Sequence, residues 1–211
     1  MDINKTYGKN VAETIINNLH SRDMEGHYFD NSPDALKFIM NDFEENSSVT
    51  WGGSETIKEI GLLDALENSN HPCIKHRIGL SKEEQREEYS RIVACDNFLM
   101  STNAITLDGE LVNIDGFGNR VSCLIAGPQN VYVIAGINKI VANVEEGISR
   151  TRNLVSAKNC LRLGIENPCA KTGKCHDCKG KNTICNQIVV TRGSRIKGRI
   201  KVILIGETLG Y

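Results

Sequence analysis

Apolar residues recur along this chain at two alternating spacings. Val11, Ile15, Ile16 and Leu19 share one face if residues 3–20 are helical, because positions three and four apart stack along a helix. HYFDNSPD then breaks the pattern. Ser32 suits an N-cap with Pro33 at the first helical position, and the spacing predicts a helix over 34–44. Residues 48–51 make a short strand that ends at Gly52-Gly53-Ser54, where the helix ETIKEIGLLDAL starts at once. A weak strand over 73–76 precedes a helix over 81–94, which Ser81 and Glu84 open as a capping box. Strands are expected at 98–101 and 111–114, a helix at 119–126, the buried strand VYVIAG, and a long helix over 144–163. Two more strands, 187–192 and 199–206, close the chain.

Alternation of this kind predicts an α/β domain of three layers, with a mostly parallel sheet of five or more strands behind N-terminal helices. The last strand, KVILIG, is apolar without interruption and should be buried on both faces. One unit spanning 1–211 is expected, divided into a helical segment (1–45), an α/β core (46–166), a cysteine loop (167–186) and closing strands (187–211).

Composition narrows the function classes. With 40% hydrophobic and 24% charged residues, the chain reads as an ordinary soluble globular protein. Its formal net charge of -1 argues against a nucleic-acid binder, which needs a basic face to neutralise phosphates. The first twenty residues carry charges and amides with no apolar run, and stretches such as 131–135 are strand-length. Neither an export signal nor a membrane span is expected, and a cytoplasmic location with reduced thiols follows as the default. Homo-oligomerisation is compatible with the sequence but marked by no readable stripe.

In open α/β sheets, ligands bind beyond the carboxyl ends of the strands. Three segments fall there. The first is Thr50 to Thr56, in which Gly52, Gly53, Ser54, Glu55 and Thr56 form a glycine-bearing turn into a helix, suited to phosphate or carboxylate; a plain tight turn capped by Ser54 is the alternative. The second runs from Ser101 to Arg120. Asp108-Gly109 is a natural turn between apolar strands, and Asn103, Thr106, Glu110, Asn113, Asp115 and Asn119 crowd both sides of it. A bare turn needs one or two such residues, whereas a polar site needs most of them. The third, Gly136-Ile137-Asn138-Lys139, places Lys139 after a buried strand, as a counter-charge for an anion or as a solvated cation.

Four of the eight cysteines lie within PCAKTGKCHDCKGKNTIC, at Cys169, Cys175, Cys178 and Cys185, with the spacing C-x5-C-x2-C-x6-C. Thiolates at x2 can grip one metal centre, and the glycine- and lysine-bearing loops can fold the other two back onto it. Tetrahedral zinc and an iron–sulfur cluster both suit that arrangement, and unrelated thiols or a disulfide are the plainer alternatives. Lys171, Lys174, Lys179 and Lys181 would offset the net negative charge of either metal centre. Cys73, Cys95, Cys123 and Cys160 sit among apolar neighbours and read as small buried hydrophobes.

TWGGSETIKEIGL, STNAITLDGELVNIDGFGNRV, AGPQNVYVIAGINKIV and PCAKTGKCHDCKGKNTICN, followed by the terminal GETLGY, resemble in order the motifs of the lactate-utilisation (LUD) domain family. The resemblance covers nearly the whole chain. It implies a fold like that of ribose-5-phosphate isomerase, glucosamine-6-phosphate deaminase and the CoA transferases. It also implies a part in bacterial oxidation of lactate and similar acids beside iron–sulfur subunits. Residues 101–118 are similar in layout to a stretch of the methylthioribose-1-phosphate isomerase group, with Asn103 where that group carries a catalytic Asp. An amide does not exchange protons at neutral pH, so Asp108, Glu110 and Asp115 are the candidate catalytic carboxylates. The resemblance tips the metal choice toward a [4Fe–4S] cluster, with zinc as the alternative. Two functions stay open: an organic-acid oxidation component that binds a small anionic metabolite and redox partner subunits, or a stand-alone isomerase or transferase with structural zinc. A non-catalytic binding or regulatory module is the blander third.

Overall fold

The computed structural model describes residues 2–77 and 79–211. Among these residues, six strands form one parallel sheet: β1 (Glu25–Phe29), β2 (Val49–Trp51), β3 (Cys73–Ile74), β4 (Asn97–Met100), β7 (Asn130–Gly136) and β10 (Ile200–Ile205), in the spatial order β1-β10-β7-β4-β2-β3. Neighbouring strands pair in parallel throughout, with Val202 opposite Gly26 on one side and Val133 on the other. The alternation of side chains across a strand divides the core in two. Ile200, Val202 and Leu204 of β10 join Val131, Val133 and Ala135 of β7 on one face, against α1 (Ile3–His20) and α6 (Asn119–Ala126). Ile203 and Ile205 join Tyr132 and Ile134 on the other, against α2 (Ser32–Asp42), α3 (Glu55–Glu59) and α4 (Leu62–Glu67). Residues 202–205 are fully buried, as a central parallel strand requires.

A second sheet, β8-β5-β6-β9, comprises β5 (Ala104–Thr106), β6 (Leu111–Asp115), β8 (Ile140–Val141) and β9 (Gln187–Thr191). Here the expected topology needs revision. The strand after the cysteine loop pairs antiparallel with β6, Val189 opposite Asn113, and does not close the main sheet. Its composition explains this, because Gln187 and Ile188 are exposed and an interior parallel strand would be apolar on both faces.

Other boundaries shift for local reasons. Asn31, not Ser32, caps α2 through its side chain. HYFDNSPD holds the end of edge strand β1, which tolerates polar residues because one side has no neighbour. Gly26 lets α1 close onto that strand, since an added Cβ would stand 2.9 Å from Ile16. ETIKEIGLLDAL splits into two helices at Gly61, whose φ of 75° is left-handed. The capping box of Ser81 and Glu84 opens α5 (Lys82–Val93). The long helix is α7 (Val144–Arg150) and α8 (Ser156–Leu163), joined by a π-helical turn over Thr151–Val155. The Thr151 hydroxyl donates to Gly147 O at 2.7 Å, beside the π turn.

Ile203→Ala should lower unfolding free energy by about 2–5 kcal/mol in urea titration, because β10 is sealed between both cores and cannot collapse around the void.

Candidate functional site

Strands β2, β4, β7 and β10 all end along one edge of the sheet, and a cavity of about 340 Å³ opens there. Gly52 to Thr56 after β2, Ser101 to Asn103 after β4, Lys139 after β7, and Gly210 and Tyr211 after β10 all line it. Asp115, Arg120, Asn159 and Arg162 line it from the helical and second-sheet side, and Lys181 from the cysteine loop.

Lys139 is its chemical centre. The residue is 3% exposed. Its Nζ donates to Thr56 Oγ1 and Ser101 Oγ, both at 2.8 Å. Burial lowers its pKa from 10.5 to about 7, and the nearby Arg150 and Arg120 guanidinium groups push the same way, while Glu59 opposes them weakly. Both arginines are committed to the framework. Arg120 donates to Ser101 O at 3.0 Å, Asn113 Oδ1 at 2.6 Å, Asn103 Oδ1 at 3.1 Å and Ile114 O at 3.0 Å. Arg150 donates to Asn103 O at 2.6 Å and Asn138 O at 3.1 Å. They therefore act on Lys139 as fixed positive charges. The tail closes over it: Asn138 accepts from Leu209 N at 3.0 Å and donates to Leu209 O at 3.3 Å. Gly136 leaves room for this clamp, because a Cβ there would come within 2.5 Å of Asn138 Oδ1 and of Glu207 O.

Of the residues singled out from sequence, Gly52, Gly53, Ser54, Glu55, Thr56, Asn103, Asp115 and Lys139 line this one cavity. Gly53 and Ser54 have backbone N–H groups with no partner among the described residues. Asn103 faces inward with its amide oxygen already occupied by Ile114 N at 2.8 Å and by Arg120. Asn113 sits behind the wall, holding Arg120, and Asn138 clamps the tail. Placement is revised for Thr106, Asp108 and Glu110. β5 carries the chain away from the sheet edge, so the turn lies at the far end of the hairpin. There Thr106 Oγ1 accepts from Glu110 N at 3.0 Å, the Asp108 carbonyl accepts from Arg22, and Glu110 pairs with Arg192 at 3.0 Å. Asp115 is the candidate carboxylate that remains at the cavity, bonded to Gly118 N at 2.9 Å and 3.6 Å from Arg120 Nε.

Sequence reasoning missed Arg120, Asn159 and Arg162, and gave Lys181 a role only at the cysteine loop. Arg120 stood in view inside GFGNR, but nothing in that motif says that a helix turns it back onto two strand ends. Asn159 and Arg162 sit on α8 beyond the π turn, which local periodicity does not reveal.

The cysteine loop forms the next wall. Cys169, Cys175, Cys178 and Cys185 line a second cavity of about 90 Å³, together with Arg152, Ser156 and Ile184. Cys178 donates toward Thr183 Oγ1 at 3.7 Å and Cys185 toward Ser156 Oγ at 3.2 Å. Cys160, expected as an isolated core residue, lies 3.8 Å from Cys169 sulfur to sulfur and belongs to the same cluster. Among the described residues, no three of His, Cys, Asp or Glu are close enough to hold a metal ion. Ile184 lines both cavities. Asn186 Nδ2 ties the loop to Gly116 O at 3.0 Å, where a Cβ on Gly116 would crowd Ile184 Cα at 3.3 Å.

A glycine-edged, cation-lined cavity at the carboxyl edge of a parallel sheet defines the class of domain. The LUD domain model matches residues 12–205, and the chain belongs to that family, which is associated with lactate utilisation. Its fold is similar to that in the crystal structure of a DUF162 family protein from Deinococcus radiodurans. The TM-score is 0.57 at 13% identity, covering 94% of this chain and 98% of that one. No curated protein matches the sequence. Among the described residues, no helix is long and apolar enough to cross a membrane.

Lys139 makes stability depend on pH in a defined direction. Between about 7 and 10.5 the unfolded chain holds a proton on this amine that the folded chain has released, so stability rises with pH across that window. Below it, the full cost of burying the ammonium is present. Wild-type stability minus that of Lys139→Met, measured by urea titration, should therefore be lowest at neutral pH and below. It should climb toward pH 10.5 and then level off.

Proposed function

We propose that the cavity at Lys139 binds a small organic acid, and that the protein takes part in the utilisation of lactate or a related acid through that binding. One observation carries this reading. Lys139 is buried, hydrogen-bonded to two hydroxyls and to no carboxylate among the described residues, so its ammonium form lacks a fixed counter-ion. Arg120 and Arg150 add positive potential behind it, while Arg162 and Lys181 flank the opening. An anion entering this space supplies the missing charge, and the free N–H groups of Gly53 and Ser54 suit carboxylate oxygens. The volume of about 340 Å³ suits a small metabolite.

The cysteine cavity is the second half of the reading. Cys169, Cys175, Cys178 and Cys185 would hold an iron–sulfur cluster. Four thiols face a space of about 90 Å³, roughly three water volumes. The spacing suits zinc as well as a cluster, and the choice of a cluster leans on the family's association with lactate utilisation. When bound, such a cluster supplies one-electron transfer. Ile184, shared by the two cavities, keeps the acid and the thiols on opposite sides of one side chain. A redox partner subunit would complete the system.

Gly53 is exposed, and a Cβ on it meets nothing within 4 Å. Gly53→Phe should therefore leave the melting temperature intact while weakening L-lactate or phosphate binding by more than about tenfold, or 1.4 kcal/mol, in calorimetry. Equal affinity in the variant contradicts the site. Anaerobically purified protein should be coloured and contain iron. Colourless protein with about one zinc per chain would remove the electron-transfer half and leave the anion site untouched.

A further inference from the structure

The framework around Lys139 does two things at once. Arg120 and Arg150 are spent on carbonyl and amide oxygens, and Arg120 also faces the Asp115 carboxylate at 3.6 Å, so they attract an anion into the cavity without being free to grip it. The same charges act on Lys139, together with its burial, so that neutral amine and ammonium coexist near pH 7. The ammonium form calls for an anion as counter-ion, and the neutral form present beside it is a good nucleophile. The ligand that uses both properties carries a carboxylate for the positive field and an electrophilic carbon for the amine.

We propose that Lys139 forms an imine with a short 2-oxo acid, whose carbonyl lies over Nζ between the hydroxyls of Thr56 and Ser101. This rests on the anion-site reading and extends it to a covalent step. Nζ attacks the carbonyl carbon and the C–N bond forms. The carbonyl oxygen collects the two protons that the nitrogen gives up and departs as water, leaving C=N. No oxidant or reductant is consumed. Ser101 Oγ and Thr56 Oγ1, each 2.8 Å from Nζ, stand where those protons must pass, and Asp115 lines the same space. The carboxylate points away from Lys139, toward the free N–H groups of Gly53 and Ser54 or the rim cations Arg162 and Lys181. Trapped as an imine, the acid has its electron pair drawn toward nitrogen, which loosens the protons on the carbon beside the former carbonyl.

The test is reductive trapping on the intact protein with pyruvate as probe and sodium cyanoborohydride as reductant, at about pH 7.5, followed by peptide mass mapping. L-lactate, which lacks the carbonyl, is the control. Lys139 should carry one reduced pyruvate, in excess over exposed lysines by on the order of a hundredfold, because only about one ordinary lysine in a thousand is neutral at that pH. Lys139→Met should lose the adduct, and mapping within the wild-type chain reads the site even if that variant folds poorly. Pyruvate binding seen by calorimetry with no adduct at Lys139, or with labelling no higher than at exposed lysines, overturns the imine and leaves the anion site standing. Absence of both binding and adduct overturns the two together.

Discussion

Burying an amine in a protein interior costs several kcal/mol unless its hydrogens find acceptors, and the architecture of the sheet edge is organised around meeting that need at Lys139. The acceptors come from the next strand in the sheet and the one beyond it. Thr56 follows β2, Ser101 follows β4, and Lys139 itself follows β7. Only a parallel sheet brings three such successions to one edge, since every strand then delivers its following loop to the same side. Arg120 and Arg150 hold the loops by their backbone oxygens and keep their charge. The tail, fastened by Asn138, seals the amine from one direction and leaves the cavity open from the other.

The helix between β8 and the cysteine loop links this site to the thiols. Its π-helical turn ends at Val155, which lines the larger cavity, and Ser156 immediately after it lines the smaller. Asn159 then lines the larger cavity, while Cys160 lies against Cys169. One helix thus presents adjacent residues to two cavities. An extra residue in a helical turn rotates everything beyond it, and such turns recur at functional sites for that reason. Ile184 completes the partition from the cysteine loop.

Much of the fold was legible because its burial is extreme. Val202 to Ile205 and VYVIAG lack charged residues, as central strands of a parallel sheet do. The glycine turn at Gly52-Gly53-Ser54 and the cation at Lys139 were visible for a related reason, since both stand just past a strand. What the sequence did not disclose is set by distance along the chain. Thr106, Asp108 and Glu110 looked like neighbours of the site because they are close in sequence to Asn103, yet a hairpin takes them to its far end. Arg120, Asn159 and Arg162 reach the cavity only through helix rotation and sheet packing. β9 resembled a closing strand, and only pairing with β6 explains its exposed start. Cys160 is the buried core residue that the sequence implied, but nothing in the sequence says that the loop folds Cys169 onto it.

The most direct measurement is an NMR titration of the Lys139 side chain, with its Cε resonance assigned by comparison with Lys139→Met. A buried, field-loaded amine should titrate near 7, and a saturating small carboxylate should move the midpoint upward by supplying the missing charge. A midpoint at 10.5, unmoved by any carboxylate, would mean that the amine is solvated and that the cavity is not built around it.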